Sequence, residues 1–202
     1  MIAPQKQGSG DSATITLQAG AAKNETVGIE GVYKVECRDA QGNLKWEESF
    51  PNLVNAVGKE LMLDTLLSGS SYTVVGPYLG LISGSSPTFA ASDTMTSHGG
   101  WTEFTNYTVG GSAVRGTAVF AAASSTGSTP TNVTTAAASA ITYTITGGGG
   151  TVGGCFLVTG SGASSTQGNT SGTLYSAGAF GTAKVTTAGD TVSVTYSTTA
   201  TS

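Results

Sequence analysis

From Thr105 onward the only formally charged side chains are Arg115, Lys184 and Asp190, and Thr, Ser, Gly, Ala and Val make up most of what remains. Several of its segments place β-branched Thr and Val at alternating positions, as in Thr191-Val192-Ser193-Val194-Thr195-Tyr196. β-branched residues at every second position suit a strand with one buried and one wet face, so the chain is constrained towards a β architecture. Charged residues are 10% of the whole, against about a quarter in an ordinary soluble domain. A surface of hydroxyls and bare backbone docks on another protein at little cost in buried charge or side-chain entropy. The composition therefore points to an assembly component and away from a catalyst.

The 202 residues suffice for one β domain plus a tethered arm. A net charge of -4 with mean hydropathy +0.07 is not the signature of a disordered chain. Eight Lys and Arg scattered among carboxylates, with a pI near 4.8, do not form the basic patch that nucleic acid requires. No apolar run has membrane-span length. The start, Met1-Ile2-Ala3-Pro4-Gln5-Lys6-Gln7, carries no signal-peptide pattern, which sets the expectation of a chain made in a cytoplasm. In that setting Cys37 and Cys155, both in apolar alternating contexts, read as buried free thiols.

Residues 1–27 are rich in Gly, Ser, Gln and Ala and read as an extended arm with one alternating patch, Thr14-Ile15-Thr16-Leu17. Ile15, Leu17 and Val27 are its candidate interface residues, able to add to a neighbour's sheet as an edge strand. Residues 28–202 form the domain. Its clearest element is a hairpin over 29–50, with Tyr33, Val35 and Cys37 inward and Asp39-Ala40-Gln41-Gly42-Asn43 as the turn. Val57, Leu61, Met62, Leu63, Leu66 and Leu67 predict a helix over 56–67, started by Asn52 or Asn55 and ended by Gly69. As the densest apolar segment it is expected to plug the core, so that Leu61→Asp unfolds the domain. Short strands follow at Tyr78–Ile82, Trp101–Val109, Ala113–Phe120, Ile141–Thr146, Cys155–Thr159, Thr173–Tyr175, Ala183–Thr186 and Thr191–Tyr196. The fold class is thus all-β with one short helix, an antiparallel jelly-roll-like β-sandwich of about eight to ten strands preceded by the N-terminal arm.

Three clusters invite a chemical reading. Asp93, Ser97 and His98 have the residue types of a hydrolytic triad, but they fall within six residues, whereas triad members converge from separate elements; a turn in which Asp93 or Ser97 bonds nearby backbone fits better. The run Gly147 to Gly154 has neither a Gly-Lys-Ser/Thr nor a following helix, so it reads as an inter-strand loop and not a phosphate cradle. Trp101, Phe104 and Tyr107 fit either a sugar-stacking platform or, at least in part, core. One histidine and two distant cysteines assemble no metal site, and no cofactor is expected.

Four segments in this order, Asn52 to Asp64, Tyr78 to Ile82, Asp93-Thr94-Met95-Thr96-Ser97-His98-Gly99-Gly100-Trp101-Thr102-Glu103-Phe104, and Ala188 to Tyr196, resemble a group of tailed-bacteriophage virion proteins. The resemblance spans roughly residues 30 to 196, and the helix and the Trp101 stretch are its most specific parts. It implies a structural particle protein on the capsid exterior: a cement (decoration) protein whose partners are the major capsid protein and itself, as a homodimer or homotrimer, with no nucleic acid or membrane partner. A tail or fibre component binding a receptor or glycan is the alternative. The Thr/Ser/Gly stretches near Ser124 to Ala138 and Gly160 to Gly172 are longer than the pattern of the group.

Overall fold

A computed structural model of the chain describes residues 28–68, 75–126, 129–133 and 139–201. The arm, with Ile15, Leu17 and Val27, lies outside the described residues. In chain order the elements are β1 (Gly28–Arg38), β2 (Leu44–Pro51), β3 (Leu53–Val54), α1 (Ala56–Leu67), β4 (Tyr78–Ser83), β5 (Thr102–Phe104), β6 (Tyr107–Thr108) and β7 (Gly116–Thr117). Then follow β8 (Ser124–Thr126), β9 (Thr129–Val133), β10 (Ile141–Ile145), β11 (Gly150–Thr159), β12 (Thr173–Thr186) and β13 (Thr191–Thr201).

Two antiparallel sheets pack as a sandwich. The first runs β2-β1-β13-β10-β6, with β9 beside the far half of β13 and β8 outside β9; the second runs β3-β12-β11-β4-β5, with β7 also on β4. The outermost strands in sequence are nested, β1 on β13 and β3 on β12, while the consecutive strands β11 and β12 pair within one sheet.

Period-2 patterning accounts for the first sheet. Tyr33, Val35 and Cys37 lie directly opposite Tyr196, Val194 and Val192, and all six are buried in the core between the sheets. Each such side chain contributes about 1.5–3 kcal/mol by leaving water. The buried tyrosines also lock one layer to the other: Tyr33 Oη lies 2.8 Å from Ser176 Oγ on β12, and Tyr143 Oη donates to the Leu79 carbonyl on β4 at 2.7 Å. The second sheet is covered on its other side as well, where Ile82, Met95, Trp101, Phe156, Val158 and Leu174 form a second cluster under the loops. Burial on both faces explains why Val152 to Val158 is nearly continuously apolar and does not alternate.

The hairpin and the helix form over the residues the sequence predicts, and other elements differ for identifiable reasons. Trp101 to Val109 is not one strand, because the chain crosses from the second sheet (β5) to the first (β6) between Phe104 and Tyr107. Thr173 to Thr186 is one long strand although Gly178 and Gly181 interrupt its pattern. A Cβ at Gly178 would lie 2.8 Å from the Pro51 carbonyl oxygen, so glycine serves close backbone approach here and not a turn. Residues 113–120 hold only the two-residue β7.

The helix does not plug the core. Gly58 is its one buried residue, seated where a Cβ would come within 2.8 Å of the Tyr175 carbonyl, while Leu63, Leu66 and Leu67 are 58%, 74% and 79% exposed. Asn55 is the N-cap residue, yet its side chain turns away to donate to the Ala90 carbonyl at 3.1 Å. The C-cap is Ser68, whose hydroxyl donates to the Asp64 carbonyl at 2.8 Å. Leu61 lines an open groove, so an aspartate there stays within reach of water and the unfolding expected of a plug does not follow. The sensitive position is Gly58: Gly58→Leu is expected to cost about 1–3 kcal/mol by overpacking, and Leu67→Ser to stay within about 0.5 kcal/mol. Denaturant unfolding of the two variants checks this ranking.

Candidate functional site

None of the three clusters assembles a reaction centre. In the 84–101 loop Asp93 accepts from the Ala90 N–H at 3.0 Å, and Ser97 and Thr94 exchange backbone hydrogen bonds at 2.9 and 3.2 Å. His98 stacks on Trp101 with ring centroids 3.8 Å apart, and its Nδ1 lies 3.1 Å from the Trp101 carbonyl oxygen. The three residues brace their own loop. Trp101, Phe104 and Tyr107 are 5%, 4% and 1% exposed, Trp101 in the cluster outside the second sheet and the other two in the main core. Rings buried this deeply offer no face to a sugar.

The glycine run is partly turn and partly strand. Gly147, Gly148 and Gly149 take positive φ of 57°, 86° and 84° in the β10–β11 turn, closed by the Gly149 N–H on the Thr146 carbonyl at 2.9 Å. Gly153 and Gly154 lie inside β11 at a bulge, where a Cβ on Gly154 would collide with the Gly178 carbonyl oxygen. A strand follows the turn, so no helix dipole faces it. Cys37 and Cys155 are free and buried. Burial pushes the Cys37 thiol up to about 11, and burial raises Cys155 as well. Both are poor nucleophiles at neutral pH.

What composition alone did not disclose is the fate of the charges. Each of the three charged residues beyond Thr105 is paired with a partner from the more charged N-terminal half. Arg115 is 2% exposed and grips Glu103 with two bonds, Nε to Oε1 at 2.9 Å and Nη2 to Oε2 at 2.7 Å. It also donates to the Ser164 and Asn169 carbonyls at 3.1 and 2.7 Å and lies over the Phe156 ring, while Glu103 Oε2 accepts from the Gly168 N–H at 2.7 Å. The pair thus pins the 160–172 loop over the second sheet. Asp190 receives Lys45 Nζ at 2.6 Å, and Lys184 Nζ meets Glu48 at 2.7 Å. Nothing in the sequence spacing names these partners, and a lone charge in a neutral half reads equally well as a solvated one.

On the outer face of the first sheet β10 and β13 present hydroxyls, Thr142, Thr144, Ser193, Thr195 and Ser197, with Thr142 and Ser193 in contact at 3.3 Å, while β1 beside β13 presents Glu30, Lys34, Glu36 and Arg38. On the inward side of the same strands Ile29, Tyr196, Thr198 and Ala200, with Leu61, Met62 and Leu66 of α1, line a groove of about 720 Å³, while Leu63 and Leu67 are exposed. These surfaces can bind by shape and apolar contact; they present no convergent catalytic groups. Among the described residues no cluster of His, Cys, Asp and Glu could hold a metal ion, and no helix is long and apolar enough to cross a membrane. Comparison with protein-family models, with curated proteins and with solved structures finds no match.

Two outcomes follow from the ion pairs. Arg115→Met leaves Glu103 buried without its partner and is expected to cost about 3–5 kcal/mol, with protease cleavage appearing first in the 160–172 loop; cleavage-site mapping and denaturant titration read both. The carboxyls of Asp190 and Glu48 are each opposed by burial but are held below their ordinary values by the facing lysines and by backbone N–H donors. A carboxyl lowered in the folded state stabilises the fold above its unfolded pKa and loses that contribution as pH falls through the folded value. Thermal stability should therefore decline below about pH 4. The Lys45→Met/Lys184→Met variant should start lower at neutral pH and decline less on acidification, as followed by Tm against pH.

Proposed function

We propose that this chain is a structural protein of a tailed-bacteriophage particle: a cement (decoration) protein on the capsid exterior that binds the assembled shell and stabilises it against internal pressure. The observation that carries the reading is the consumption of Arg115, Lys184 and Asp190 in ion pairs, which leaves the C-terminal half a hydroxyl surface that costs little to cover. The resemblance of residues 30 to 196 to virion proteins supplies the kind of neighbour, the major capsid protein and further copies of the chain as a homodimer or homotrimer.

The mechanism is linkage. A protein that binds the closed lattice and not its separate subunits stabilises the closed form by mass action, and many weak copies add up. Closed symmetry makes a homo-oligomer on a shell axis the natural unit. The arm, through Ile15, Leu17 and Val27, lies across a neighbour as an added strand. No cofactor, nucleic acid or membrane takes part. The alternative of a tail or fibre component binding a glycan loses its most direct candidate, because Trp101, Phe104 and Tyr107 are core residues.

Purified chain is expected to cosediment saturably with shells that lack it and to raise their melting temperature. Because the contact is mostly uncharged, affinity should change by less than about threefold across added salt, where a phosphate-binding protein loses about a thousandfold or more between ~50 and ~200 mM. Absence of binding to any shell, or turnover of a substrate, would sink the reading. Deleting residues 1–27 is expected to leave a folded domain that no longer decorates capsids.

A further inference from the structure

We draw no further inference here: the strongest candidate, the surface patch formed by the exposed Leu63, Leu66 and Leu67 of α1 beside the groove, is an unpartnered apolar face, and nothing in the structure shows what covers it.

Discussion

The ladder between β1 and β13 joins the two ends of the described chain over eleven residue pairs, from Gly28 opposite Thr201 to Arg38 opposite Thr191. It sits second in the first sheet, with β2 on one side and β10 and β9 sharing the other, so it sets the register of every strand beside it. Its inward residues supply much of the main core, and Tyr33 reaches across to Ser176 to fix the second sheet against the first. Loop closure of this length costs more in search time than in stability, since the entropy of closure grows only logarithmically with length. Folding is accordingly expected to be slow for the chain's size, with native structure held by burial and not by local propensity.

How much of this was legible depends on which force wrote each segment. The hairpin over 28–51 reads directly because one face is wet and one dry, and alternation is the record of that difference. The helix reads directly too, at the residues where it forms, but its placement does not: six apolar side chains at helical spacing say that a stripe exists, not that the protein covers it. β12 was hidden for the opposite reason. Gly178 and Gly181 look like punctuation, yet Gly178 is demanded by the backbone of Pro51 and Asn52 crossing close above the strand. Strand exchange between sheets after Phe104 is likewise invisible, since Thr105 and Asn106 carry no turn signal as strong as the glycines do.

The candidate site was legible in kind and not in detail. A neutral half implies a surface suited to contact, but the meaning of the exceptions required coordinates. Arg115 could have been a lone surface charge; it is instead the most deeply buried cation among the described residues, bonded to Glu103 and to two carbonyls of the 160–172 loop. That loop carries Gly, Ser and Thr in plenty and almost no side chain able to hold it down, so one bidentate ion pair does what an apolar anchor would do elsewhere. The same substitution of polar ties for apolar bulk recurs at Tyr33 and Tyr143, where hydroxyls bond across the core.

Apolar bulk is scarce in this chain, and where it is spent is therefore informative. Hydrophobic residues are 38% of the sequence and many are alanine, yet α1 leaves Leu63, Leu66 and Leu67 largely uncovered while the buried contact of the helix is made by a glycine. The half-buried Val57, Leu61 and Met62 complete its inner contact, Tyr175 Oη donating to Met62 Sδ at 3.6 Å, and Lys59, Glu60 and Asp64 face outward. Leu63, Leu66 and Leu67 are therefore an apolar surplus, beyond what the inner contact of the helix uses. Whatever covers these leucines also meets the exposed Lys59, Glu60 and Asp64 of the same helix, and those charges must be paired or left at a wet rim when the leucines are covered.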